Sequence, residues 1–276
     1  MTEPSSAAER GEPPVHRHRL GGLTAVRHAE SVANERFAAA ARGATDRHRP
    51  PDRESDAQVP LGKADALVPL SDRGVRQAVT LGAWLAALPP AHRPDLVLCS
   101  PYRRARQTWS VMAREAARRG HPAARPLFDA RLRDREMGVF ELLTPVAIAA
   151  AAPEEARRRA RTGEWFYRPP GGESHADVAL RVGDLLTRLD AVAGGARVLV
   201  VAHDAVVTAL RHVLDGIGAP VPEDLPPVPN ASVTRWVADR GRLRLEVFGD
   251  TGHLGDTGHP GGTGHPGDTG RPGGDG

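Results

Sequence analysis

Two short apolar runs in this chain end in a histidine: "LTAVRH" closes on His28 and "VLVVAH" closes on His203. A strand that only had to pack would not stop in hydrogen-bonding groups. The first run is followed closely by a carboxylate, a hydroxyl and an amide, Glu30, Ser31 and Asn34. A third run, "LVLCS", leads into "PYRRARQT" and delivers Arg103 and Arg104, while Arg27 directly precedes His28. In a parallel α/β sheet, ligands bind outside the carboxyl ends of the strands. Three runs ending there would bring two imidazoles and several guanidinium groups to one sheet edge. Phosphate is the natural guest of such a pocket, because guanidinium forks match phosphoryl oxygens bidentately.

The rest of the chain must hold these groups in place. Between residues 22 and 248, strand-like and helix-like stretches alternate. Residues 23–27 read as a short buried strand, followed by a helix through "SVANERFAAAA". A polar, proline-containing stretch from Arg42 to Val68 reads as a long loop. Ser71 is placed to cap the helix "DRGVRQAVTLGAWLAAL", whose apolar positions Val75, Val79, Leu85 and Leu88 follow helical spacing. After "DLVLCS", Ser100 and Pro101 resemble an N-cap and first helical residue. A helix is expected from about Glu173 to Ala193, a strand at "RVLVVAH" and a hairpin in "SVTRWVADRGRLRLEVF". This alternation predicts an α/β fold: a three-layer αβα sandwich with a mainly parallel central sheet.

Composition narrows the function classes. The chain has 276 residues, 40% hydrophobic and 26% charged, the values of a globular protein with a sizeable core. Lys63 is the sole lysine, and arginines are interspersed with acids as in "RLRDREMG", so no basic stripe for nucleic acid forms. The single cysteine, Cys99, excludes an internal disulfide framework and a Cys-rich metal site, and its apolar setting fits a small buried hydrophobe. No segment has 18 consecutive apolar residues, which argues against a membrane span. Residues 1–21 lack an apolar signal core and read as a disordered leader, which points to the cytoplasm. Residues 249–276 carry glycine at every third position and read as a flexible tail. His253, His259 and His265 recur there every six residues, but without a rigid scaffold they make a poor metal site.

Taken together, the motifs resemble the histidine phosphatase superfamily, in its phosphoglycerate mutase-like branch. "RHAESVAN" resembles the signature around the reactive histidine, with alanine where glycine is usual. "PLSDRGVRQA" is similar to the family's helix entry, and "SPYRRARQT" to its Ser-x-x-x-Arg-Ala-x-x-Thr element. "LRDREMG" resembles the acid element, "PPGGES" the Gly-Gly-Glu-Ser loop and "VVAHD" the second-histidine strand. All six appear in family order, from about residue 22 to residue 236.

The resemblance implies a phosphomonoester hydrolase that needs no metal or organic cofactor. His28 would be the nucleophile, neutral so that it can attack, with its other ring nitrogen donating to a backbone carbonyl. Arg27, Arg104 and His203 would clamp the nonbridging oxygens, Asn34 would be a further oxygen ligand and Arg103 would lie at the pocket rim. Asp134 stands where the family element has glutamate and is the first choice for proton donor, with Glu136 in reserve on an expected strand face. Asp204 follows His203, as in the acid-phosphatase and phytase branch, where that aspartate donates the proton. That branch's Arg-His-Gly-x-Arg-x-Pro opening is missing here. Glu30 and Glu173 are expected to cap helices or bind arginines. A mutase is the alternative, as is a noncatalytic phosphate-binding protein on the same fold. Neither nucleic acid nor membrane is an expected partner; a small phosphorylated substrate is. Trp165, Phe166 and Tyr167 would either face a leaving group or pack a loop.

Overall fold

The computed structural model describes residues 17–45, 64–216, 219, 221 and 224–255. A six-stranded sheet forms its centre, built from β1 (Gly22–Arg27), β2 (Leu96–Cys99), β3 (Leu127–Phe128), β4 (Arg197–Ala202), β5 (Val233–Asp239) and β6 (Arg242–Asp250). The spatial order is β3-β2-β4-β1-β5-β6. The four strands from β3 to β1 run parallel, and the expected hairpin β5–β6 adds two antiparallel strands beside β1.

Side-chain alternation along the strands loads both faces of this sheet. Leu23, Ala25, Val198, Val200 and Ala202 point into one core with α6 (His175–Val192) and α7 (Asp204–Asp215). Val26, Val97, Cys99, Leu199 and Val201 point into the other, with α2 (Asp72–Ala87) and α3 (Arg103–Arg118). The result is the expected three-layer sandwich. The remaining helices are α1 (Val32–Thr45), α4 (Pro145–Ala151) and α5 (Pro153–Thr162).

Ser71 caps α2 as expected, accepting from the Gly74 amide. The buried stripe of α2 differs from the one its apolar spacing suggested. Leu85 and Leu88 are buried, but Val75 and Val79 are about two-fifths exposed, at 42% and 41%. Gly74, Gln77, Ala78, Leu81 and Gly82 face inward instead. A methyl group on Gly82 would lie 2.7 Å from the Met112 carbonyl oxygen of α3, so close helix contact selects small residues over valines. The start of α3 also differs: Tyr102 occupies the N-cap without a side-chain cap, and Ser100 lies outside the helix.

Both ends of the folded unit lie beyond the boundaries read from the sequence. Leu20 is buried in the core and His18 Nδ1 lies 2.7 Å from Asp190 Oδ2, so the leader's last residues are part of the domain. At the other end, β6 reaches Asp250 and a 3-10 turn spans Gly252–Leu254, with His253 Nε2 3.0 Å from the Ala231 carbonyl oxygen. The first glycine triplets therefore belong to the fold. His259, His265 and most of the Arg42–Val68 loop lie outside the described residues. Among the aromatics of "EWFY", Tyr167 is buried and donates to Glu155, Trp165 stacks on His212 at 4.2 Å, and Phe166 is exposed. Two of the three thus pack the loop onto the domain.

Leu81→Ala should cost about 2–5 kcal/mol in urea unfolding, whereas Val79→Ala should cost less than about 1. Equal costs would contradict the orientation of α2.

Candidate active site

Parallel pairing of the two innermost strands builds the site. Arg27 is the register partner of Ala202, so the next residues, His28 and His203, leave the sheet side by side. The His28 amide donates to the Ala202 carbonyl at 2.8 Å, and the two imidazole centroids stand 5.1 Å apart. Both rings are buried. Next along, the Ser100 amide extends the β2–β4 ladder by donating to Val201. Ser100 Oγ then lies 2.8 Å from His203 Nε2. The serine read as a helix cap thus orients the second histidine, which is why α3 starts later.

His28 is held in one tautomer. Its Nδ1 lies 2.7 Å from the Ala29 carbonyl oxygen and must donate to it. Arg104 Nε donates to His28 Nε2 at 3.2 Å, and a guanidinium can only donate, so Nε2 carries the lone pair. Burial, followed by the positive charges of Arg104, His203 and Arg27, holds the His28 pKa well below 6.5; the Ala29 carbonyl pulls weakly the other way. The ring is therefore neutral at pH 7, as nucleophilic attack requires.

Arg104 is the hub. It is buried in the first turn of α3. Besides His28 it binds Asp65 through the backbone oxygen at 2.8 Å and both carboxylate oxygens at 2.9 and 2.7 Å, and Asp134 Oδ2 at 2.7 Å. Asp134 Oδ2 also lies 3.2 Å from His203 Nδ1. Burial pushes the Asp134 pKa up, but His203, by charge and hydrogen bonding, and then Arg104 and His28 pull it well below the usual carboxylate value. His203 is lowered by burial, against the opposing pull of Asp134. At rest the aspartate is ionised.

Around this cluster the other expected residues sort themselves. Arg27 donates to the Val228 carbonyl, its Nη2 lies 3.7 Å from Asp204 Oδ2, and its buried Nε has no partner among the described residues. Asn34 Oδ1 accepts from Ser31 and from Asn230, whose amide also donates to the His28 carbonyl, so Asn34 reaches the site through its neighbours. Asp204 begins α7 at the cavity edge. Two expectations are corrected. Glu136 lies on irregular backbone, where it pairs with Arg133 at 2.9 Å and is not in the cluster. Arg103 is exposed and lines a separate groove with Arg106 and Phe128. Glu30 and Glu173 do bind arginines, Arg73 for the first, Arg133 and Arg181 for the second.

Sequence reasoning missed Asp65, Ser100, Asn230 and Glu141. Glu141 lines the adjoining cavity, and burial followed by the charge of Asp65 raises its pKa to about 7. Gly138 allows the acid element to reach the site: it has φ +58°, and a methyl group there would meet the Pro170 oxygen at 2.1 Å. Nitrogens of His28 and His203 and an oxygen of Asp134 lie within 4.8 Å of one another, a spacing a metal could use. Arg104 donates into two of the three, however, so those lone pairs already have a partner.

The described chain matches the family model for the histidine phosphatase superfamily (branch 1) across residues 23–251. It belongs to that superfamily. One member, the glucosyl-3-phosphoglycerate phosphatase of Mycolicibacterium vanbaalenii, is 34% identical over 190 residues, 66% of this chain and 77% of that protein. A 2,3-bisphosphoglycerate-dependent phosphoglycerate mutase of Methylorubrum extorquens is 33% identical over 157 residues, 54% of this chain and 68% of the mutase. Among solved structures, a mycobacterial glucosyl-3-phosphoglycerate phosphatase with inorganic phosphate superposes with TM-score 0.60 at 27% identity, covering 86% of this chain and 99% of that one. The α-ribazole phosphatase of Shigella flexneri shares the fold, with TM-score 0.60 at 21% identity, covering 83% and 96%. No helix among the described residues is long and apolar enough to cross a membrane.

Folded His28 binds a proton less readily than an unfolded histidine. Stability should therefore fall as pH drops from 7 to 5, and His28→Asn should flatten that slope in urea unfolding. An imidazole resonance of His28 titrating near 6.5 would contradict the assigned state.

Proposed function

We propose that this superfamily member is a phosphomonoester hydrolase acting through phosphohistidine on His28. The observation that carries the reading is the neutral His28 Nε2 lone pair, aimed at Arg104 and flanked by Asp134 and His203. The phosphatases among its relatives support it, since they share the fold and a substantial part of the sequence.

In this reading the phosphoryl group enters between His28 and Arg104. Its oxygens take donors of Arg104, the free Nε of Arg27 and His203. All the Arg104 contacts seen at rest are to protein groups, so Asp65 must yield its place to the substrate. A dianion beside Asp134 replaces a cation's attraction with like-charge repulsion and raises the Asp134 pKa, which lets it hold a proton. Nε2 attacks phosphorus, the ester P–O bond breaks, and Asp134 gives its proton to the departing alcohol oxygen. The Asp134 carboxylate then takes a proton from a water molecule as the water oxygen attacks phosphorus. The P–N bond breaks and inorganic phosphate leaves. Asp204 is the second choice of donor. Its Oδ2 lies 3.7 Å from Arg27 and its Oδ1 accepts from the Ala205 amide, whereas Asp134 binds both Arg104 and His203.

Hydrolysis is preferred to mutase chemistry because the segment after the acid element forms α4 and α5 and contributes carboxylates to the mouth. Phosphoglycerate interconversion without net phosphate release would support the mutase instead.

His28→Ala should lower turnover of p-nitrophenyl phosphate by at least about a thousandfold and abolish a 32P adduct on alkaline quench. Activity within about tenfold of wild type would rule out His28 as nucleophile. Asp134→Asn should harm alkyl esters far more than p-nitrophenyl phosphate, whose leaving group scarcely needs a proton. Equal losses would move the role to Asp204. Asp65→Asn should tighten inhibition by inorganic phosphate by about tenfold, since a neutral amide competes less well for Arg104. Unchanged or weaker inhibition would show that Asp65 does not contest the phosphate position.

A further inference from the structure

Beside the histidine pair lies a cavity of about 330 Å³, placed to take the alcohol part of the ester. Asp65, Asp134, Glu141, Glu164 and Asp204 all line it. The two basic residues of the lining, Arg135 and His175, are already committed. Arg135 donates to Glu164 at 2.7 Å and to the carbonyl oxygens of Glu173 and Tyr167 at 2.8 and 2.9 Å. His175 Nε2 lies 3.6 Å from the same Glu164. With Arg159, these groups balance Glu164 alone.

The other four carboxyl groups have weaker claims on positive charge. Arg104 serves Asp65 and Asp134 at rest, but an incoming phosphoryl group takes over its donors. Among the described residues Asp204 pairs only with Arg27, at 3.7 Å, and Arg27 faces the same anion. Glu141 makes no ion pair among the described residues, and the neighbouring charge of Asp65 already weighs on it. An ester bound through its phosphate thus meets these carboxyl groups set among the apolar side chains of Phe37, Met137, Phe140, Leu142 and Leu143. Hydroxyl and ammonium groups can donate to the carboxyl groups, whereas a carboxylate is set against a lining in which five acidic groups face two basic ones.

Building on the phosphatase reading above, we propose that this cavity selects phosphomonoesters of alcohols that carry hydroxyl or amino groups and excludes those carrying a carboxylate. The discrimination is made by repulsion, in the part of the site that never touches phosphorus.

Glycerol 3-phosphate and 3-phosphoglycerate test this directly, because they differ only in a hydroxymethyl group against a carboxylate. With the full-length protein, kcat/KM for glycerol 3-phosphate should exceed that for 3-phosphoglycerate by at least about tenfold, and phosphoethanolamine should also be favoured. The variants Glu141→Gln and Asp204→Asn should each shrink the ratio severalfold. Reading a ratio within each variant cancels any general loss of folded enzyme. A ratio near one, or one favouring 3-phosphoglycerate, while p-nitrophenyl phosphate is hydrolysed by a His28-dependent route, overturns the selectivity and leaves the phosphatase reading intact. A ratio that neither variant alters also overturns it. Absence of His28-dependent turnover on every ester overturns both.

Discussion

Backbone pairing between β1 and β4 is the constraint on which the site depends. Each residue from Gly22 to Arg27 is matched with one from Arg197 to Ala202, and the paired segments are buried on both faces. A slip of one residue would exchange the two core faces and separate the imidazoles. The packing of two hydrophobic layers therefore enforces the 5.1 Å approach of His28 and His203. Neither histidine needs a side-chain partner to find the other. Their neighbours set the tautomers: the Ala29 carbonyl accepts from His28 Nδ1, and the ionised Asp134 lies 3.2 Å from His203 Nδ1, which leaves His203 Nε2 to accept from Ser100.

Charge compensation is the second theme. A buried guanidinium without acceptors would be costly, and Arg104 avoids this by binding two carboxylates and an imidazole. Those same bonds raise its pKa against the opposing effect of burial, so it remains a cation throughout. Asp65 supplies three of the acceptors that compensate this guanidinium, its backbone oxygen and both carboxylate oxygens. In the proposed reaction Asp134 has a double part: ionised next to Arg104, it becomes able to carry a proton once that attraction is diverted.

Much of this was legible in the sequence. Strands ending in histidine and a helix carrying Arg104 were readable because short continuous apolar runs and ordered motifs are local signals. The sandwich followed from the alternation of elements. Asp65 gave no such signal, since it follows a polar stretch without periodicity and meets Arg104 only through the tertiary fold. Ser100 before proline mimics a helix cap, and only the position of His203 shows its other use. Val75 and Val79 misled because apolar spacing marks a helix without saying which of two stripes is buried; Gly82 at the α3 contact settles that. Glu136 was misplaced because the acid element was expected to be strand, whereas the turn permitted by Gly138 makes it irregular. Domain ends were hardest to see, as a glycine repeat looks the same whether or not its first triplets are docked.

The two histidines and Arg104 come from the ends of the inner strands and from α3, while the cavity wall is drawn mainly from the segment between Asp134 and His175 and from the approach to α2. Apart from Asp134 and Asp204, which touch the cluster, these are separate stretches of chain. Substitutions in the wall can therefore accumulate without moving the imidazole pair. A lineage built on this scaffold is free to drift in what it accepts while keeping inherited reactivity unchanged, and resemblance at the strand ends carries no information about diet.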